Sequence, residues 1–66
     1  MPIVQLHLLE GRSTELKKAL ISEVTDAVSR TLGSPRESIR VLLNEIPKEN
    51  WGVAGVPILE WKNKSN

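Results

Sequence analysis

At 66 residues the chain is one small domain (1–66), and with no cysteine and a single histidine it excludes disulfide support, thiolate metal sites and multi-histidine metal centres. A net charge of +1 with scattered basic residues argues against nucleic acid, and no apolar run approaches the roughly 20 residues that span a bilayer. No charged and apolar leader opens the chain, so the expected address is cytoplasmic, and association with other subunits is the support left to a core this small.

The stretch "IVQLHLL", residues 3 to 9, reads as a strand. Val4, Leu6 and Leu8 share one face; Ile3, Gln5, His7 and Leu9 share the other. "EGRS" turns the chain, with Ser13 as N-cap and Glu15 in the first turn, where the helix dipole favours an anion. From Thr14 to Leu32, Leu16, Leu20, Ile21, Val24, Ala27, Val28 and Leu32 recur at helical spacing. Lys17, Lys18, Glu23, Asp26 and Arg30 form the polar face, and Gly33 stands where a terminating glycine belongs. "SPRE" reads as a capping box for a short helical turn, with Ser34 as cap, Pro35 in the first helical position and Glu37 in the third.

A second strand is expected over residues 39 to 46, "IRVLLNEI". Ile39, Val41 and Leu43 share one face; Arg40, Leu42, Asn44 and Ile46 share the other. Strand, helix, strand at these lengths is a βαβ unit of α+β class, with two parallel strands and a right-handed crossover. Its single long helix covers one sheet face. The face of His7 and Arg40 has no cover in the chain, and a bare two-stranded sheet is unstable in water. Gly52 and Gly55 predict a short C-terminal hairpin around Val53 and Ala54. "VPILEW" predicts an added edge strand, limited by Pro57, and "KNKSN" a frayed end.

No phosphate loop, dinucleotide glycine pattern or acyl-transfer triad is present. His7 alone reads as a structural histidine facing an interface. Pro2 carries more chemistry. Removal of Met1 ahead of so small a residue exposes a secondary amine held in a ring. An ordinary α-amino group titrates at about 7.7–8.0. Apolar burial and neighbouring cations lower that value, toward the range that proton abstraction at neutral pH needs. Arg12 lies in the loop after the first strand, and Arg40 lies early in the second, on the uncovered face. Arginine binds carboxylates bidentately and stays charged when half-buried, so the three residues suggest a dianion site.

The stretches "PIVQLHLLEGRS" and "ESIRVLLNEIPKENWGVAGV", with the helix between them, carry a resemblance to the 4-oxalocrotonate tautomerase family over residues 2 to 56. It implies a tautomerase-like fold, oligomeric as a hexamer of paired dimers (a trimer of dimers). It also implies a cofactor-independent isomerase of aromatic catabolism. Such an enzyme converts a dienol carboxylic acid such as 2-hydroxymuconate to a 2-oxo acid, with no metal and no organic cofactor. Under the resemblance Pro2 is the general base, and Arg40 holds the carboxylate and 2-oxygen end. Arg12 binds the far carboxylate. Trp51 stands where the family commonly has phenylalanine, as an apolar wall, and Ser38 and the Leu9 backbone line the pocket. Arg40 and Trp51 would serve a neighbour's Pro2. Two other functions stay open. One is a dehalogenase or hydratase of the same superfamily, for which Glu49 is the acid nearest the Trp51 segment; the other is a non-catalytic oligomeric module.

Overall fold

The computed structural model describes residues 1–64. Strand β1 spans Ile3–Leu9 and shows the alternation its sequence dictates, with Val4, Leu6 and Leu8 turned inward and Ile3, Gln5 and His7 outward. Helix α1 spans Thr14–Leu32. Ser13 is extended at its head, and its Oγ accepts from the Leu16 N–H at 3.2 Å. Gly33 ends it with φ of 73°, a left-handed conformation that a Cβ would strain, and its N–H donates to the Ser29 carbonyl at 2.9 Å.

The buried stripe of α1 is shorter than the apolar spacing predicts. Leu20, Val24, Ala27 and Val28 are half-buried, whereas Leu16 and Leu32 at the two ends are 61% and 64% exposed. Length explains this. The 19-residue helix is about 28 Å long, and a seven-residue strand about 23 Å, so the helix overhangs its sheet. Thr25, absent from the apolar pattern, is buried on this face, where its Oγ1 donates to the Ile21 carbonyl at 2.7 Å.

Strand β2 spans Arg40–Ile46 and pairs parallel to β1, with Ile3 opposite Arg40, His7 opposite Asn44 and Leu9 opposite Ile46. Ile39 precedes the strand rather than opening it, and it is the one buried apolar side chain among the described residues. The capping box expected at Ser34–Glu37 does not form. The short helical turn expected there is present as a three-residue 3-10 turn, Arg36–Ser38, with Pro35 rather than Ser34 at its head and no side-chain cap. So short a turn closes on itself: the N–H groups of Ser38 and Ile39 donate to the carbonyls of Pro35 and Arg36, at 3.0 and 3.1 Å. Ser34 contributes only its carbonyl, which accepts from the Ser29 hydroxyl at 2.7 Å. Two ion pairs tie α1 down: Lys17 to Glu45 of β2 at 2.9 Å, and Asp26 to Arg36 of the turn.

The second sheet face is bare. Ile3 is 62% exposed and Leu42 49%, and Gln5, His7, Arg40 and Asn44 are exposed beside them. Asn44 Nδ2 lies 3.1 Å from His7 Nδ1, and donation from the amide leaves Nε2 of that ring to carry the proton.

After β2 a second 3-10 turn, Lys48–Asn50, leads to a hairpin of β3 (Gly52–Val53) and β4 (Val56–Pro57). Ala54 and Gly55 join these strands with φ of 53° and 87°, both positive as a tight hairpin turn requires. The edge strand expected over "VPILEW" is cut off at Pro57, and helix α2, Ile58–Lys64, takes its place. Proline lacks the N–H that would extend the ladder, and Leu, Glu and Lys favour a helix beyond it. The frayed end expected from Lys62 is helical to Lys64; residues 65–66 lie outside the described residues. The Ile58 N–H donates to the Trp51 carbonyl at 2.8 Å, so α2 is fastened to the hairpin arm.

Candidate active site

Pro2 and Arg40 meet at the start of the two parallel strands. The Arg40 N–H donates to the Pro2 carbonyl at 3.0 Å, extending the ladder one residue beyond β1. Arg40 then turns its side chain back, and Nη1 donates to the Glu37 carbonyl at 2.8 Å. The hydroxyl of Ser38 donates to the Pro35 carbonyl at 2.9 Å, which leaves its oxygen free only as an acceptor. Pro2 is half-buried behind an exposed Met1, and with Met1 attached its nitrogen is an amide without basicity.

Leu9 and Arg12 lie at the other end. The Glu10 N–H donates to the Ile46 carbonyl at 3.1 Å, which closes the ladder, and Gly11 turns the chain with φ of 120°. Arg12 Nη1 donates to the Leu9 carbonyl at 2.9 Å. From Pro2 to Leu9 the strand runs about 23 Å, at roughly 3.3 Å per residue. The sequence-predicted residues therefore form two groups, Pro2, Ser38 and Arg40 at one end of the sheet and Leu9 and Arg12 at the other. Trp51 stands apart from both, half-buried in the hairpin arm. Its N–H donates to the Lys48 carbonyl at 3.2 Å.

Lys17 and Arg36 are paired with carboxylates, whereas among the described residues neither Arg12 nor Arg40 is. Each of the latter gives one Nη to a backbone carbonyl and keeps further N–H donors for a ligand. No pocket is enclosed by the described residues of one chain. The alignment of Arg40 by Glu37 and the tie between Asp26 and Arg36 carried no sequence signal, because one uses a backbone carbonyl and the other joins residues ten apart.

A βαβ subunit with proline heading its first strand and two uncommitted arginines at its sheet ends has the plan of a tautomerase. The family model described as tautomerase enzyme matches residues 2–60, and the chain belongs to the tautomerase family. It is 50% identical over 60 residues to the 2-hydroxymuconate tautomerase of Comamonas testosteroni, across 91% of this chain and 95% of that one. A 4-oxalocrotonate tautomerase homologue of the tomaymycin biosynthetic pathway matches its fold with a TM-score of 0.93 at 38% identity, covering 98% of this chain and all of the other. The heterohexamer 4-oxalocrotonate tautomerase from Chloroflexus aurantiacus J-10-fl matches with a TM-score of 0.86 at 32% identity, over 91% of this chain and 97% of that one. The chain is thus an isomerase of the tautomerase kind, and its fold is the βαβ unit with hairpin that the sequence predicts.

Proposed function

We propose that the chain, once freed of Met1, isomerises a dienol carboxylic acid such as 2-hydroxymuconate to a 2-oxo acid with Pro2 as general base. The Pro2 amine takes the proton of the 2-hydroxyl and, as an ammonium, returns a proton to a carbon of the conjugated chain. Negative charge gathers on the 2-oxygen between these steps. Arg40 meets that charge and the adjacent carboxylate, Arg12 holds the far carboxylate, and Trp51 walls the amine from water. The Ser38 oxygen and the Leu9 backbone complete the lining. Fixed guanidinium charge suffices for the enolate, so the chemistry calls on no metal or organic cofactor.

The observation that carries this reading is the pair of carboxylate-free arginines at opposite ends of a bare sheet face. About 23 Å of strand separates Pro2 from Leu9, whose carbonyl holds Arg12, so a complete site draws on more than one copy. If two copies meet about a two-fold axis perpendicular to their strands, the strands run oppositely, and the Leu9–Arg12 end of one lies beside the Pro2 end of the other. A hexamer of paired dimers supplies such contacts and covers the exposed face, with Arg40 and Trp51 serving a neighbour's Pro2. One domain over residues 1–66 and a cytoplasmic setting belong to the same reading. The test is turnover of 2-hydroxymuconate by the Met1-free chain and by a chain forced to keep a residue ahead of Pro2. The first is expected to be active and the second inert. Equal turnover by the two would remove Pro2 as base.

A further inference from the structure

We propose that the Asp26–Arg36 ion pair is a positioning device for Arg40, holding the turn whose Glu37 carbonyl aims the Arg40 guanidinium. The inference rests on the role given to Arg40 above. Three links connect the pair to the charge it would aim. Asp26 projects from α1, which is fixed to the sheet by its apolar stripe and by the Lys17–Glu45 pair. Arg36, the first residue of the 3-10 turn, donates through Nη1 to Asp26 Oδ1. The next residue, Glu37, offers its backbone carbonyl to Arg40 Nη1 at 2.8 Å.

The exit of the turn is already fixed, since Ile39 is buried and the Arg40 N–H is held by the Pro2 carbonyl at 3.0 Å. Its approach is held by the Ser29 hydroxyl on the Ser34 carbonyl at 2.7 Å. Between these anchors the turn is braced from within, by the Ser38 N–H and hydroxyl on the Pro35 carbonyl and the Ile39 N–H on the Arg36 carbonyl; the Glu37 carboxylate joins no ion pair among the described residues, and Arg36 is the side chain that ties this braced turn to α1. Without the Asp26 contact the turn keeps its three internal hydrogen bonds and the fold survives. The braced turn as a body is then no longer placed from α1 through Arg36, and its Glu37 carbonyl carries the long Arg40 side chain with it.

Stability and turnover should therefore separate. Both partners are about half exposed, and ion pairs of that kind add little to folding. Placement of a charge against a reacting oxygen is far more demanding, because a misplacement of about 1 Å can lower a rate about 10²-fold. The pair thus acts through Arg40 and touches no substrate itself.

The experiment uses the Met1-free chain with 2-hydroxymuconate, following kcat, KM, melting temperature and solution mass. Arg36→Gln and Asp26→Ala should each lower kcat about three- to tenfold, a part of the full misplacement effect, with melting temperature and mass unchanged. The charge swap Asp26→Arg with Arg36→Asp should recover most of the lost kcat. In an Arg40→Ala background, which keeps measurable turnover at raised enzyme concentration, Arg36→Gln should have no further effect. Wild-type kcat in both single variants would overturn the proposal. So would a loss that adds fully in the Arg40→Ala background, or one that comes with altered mass or melting. Wild-type turnover by Arg40→Ala alone would instead remove the role of Arg40 itself, a failure read from that variant without the others.

Discussion

Arg12 and Arg40 use the same local device. Each folds back to give Nη1 to the carbonyl three residues upstream, Leu9 at 2.9 Å and Glu37 at 2.8 Å. Holding one edge of the guanidinium orients the other edge as a fork for a carboxylate. Their proposed tasks differ, and kinetics can separate them. Arg40 meets charge that grows during proton transfer, so Arg40→Ala should lower kcat roughly 10²–10³-fold, as loss of one such donor does elsewhere. Arg12 holds a carboxylate whose charge is the same before and during reaction, so Arg12→Ala should raise KM more than it lowers kcat. On a monoacid analogue lacking the far carboxylate, Arg12→Ala should behave like wild type while Arg40→Ala stays impaired. Equal loss on diacid and monoacid would show that Arg12 does not read the far carboxylate.

At the scale of elements, the ends of α1 and the hairpin turn carry the clearest local energetics. The Ser13 hydroxyl satisfies one free N–H at the helix start, and Ser13→Ala should cost about 1 kcal/mol. In the hairpin, Ala54 is the one non-glycine residue with positive φ among those described, at 53°. A Cβ in that region costs roughly 1–2 kcal/mol, and asparagine tolerates it best after glycine. Ala54→Asn, which makes an Asn-Gly turn, should therefore stabilise the arm. Thermal unfolding at one fixed chain concentration measures both substitutions. Ser13→Ala should lower the midpoint by about 4–8 °C, and Ala54→Asn should raise it by a smaller amount. A lowered midpoint in Ala54→Asn would mean that the turn's surroundings, rather than its backbone, select alanine.

For the whole molecule, the decisive quantity is how little one chain buries. Ile39 is its single buried apolar residue among those described, and its radius of gyration is 15.4 Å, against about 11 Å for a compact chain of this length. The hairpin arm and α2 pack on one another, with Leu59 52% and Trp61 42% exposed. In the proposed assembly such a chain would gain most of its stability on association, so folding and assembly should be one event, with a concentration-dependent midpoint. Leu42 lies in the middle of the bare sheet face, opposite Gln5. Leu42→Glu should place a charge where another copy is proposed to pack, giving smaller species by light scattering and loss of turnover together. An active assembly of wild-type mass in that variant would show that this face is not the interface.

Much of the framework was legible because it is set within a few residues. The alternation of β1, the Ser13 cap and the left-handed Gly33 bound strand and helix at the residues where the structure has them. The bare face was legible too, since period-two patterning assigns Ile3, His7, Arg40 and Leu42 to one side. What failed were segments with two locally acceptable solutions. Ser34–Glu37 matches a capping box, but the three residues between Pro35 and buried Ile39 leave room only for a 3-10 turn. Residues 58–61 suit a strand until Pro57 ends the ladder. The proposed site can be read from the sequence as a set of residue types and not as an arrangement. Pro2, Arg12 and Arg40 suggest a base and two cations when taken together, and their proposed roles come from the family resemblance. Their division between opposite ends of the sheet follows from parallel pairing and from about 3.3 Å of rise per residue, quantities that exist only once β1 and β2 lie side by side.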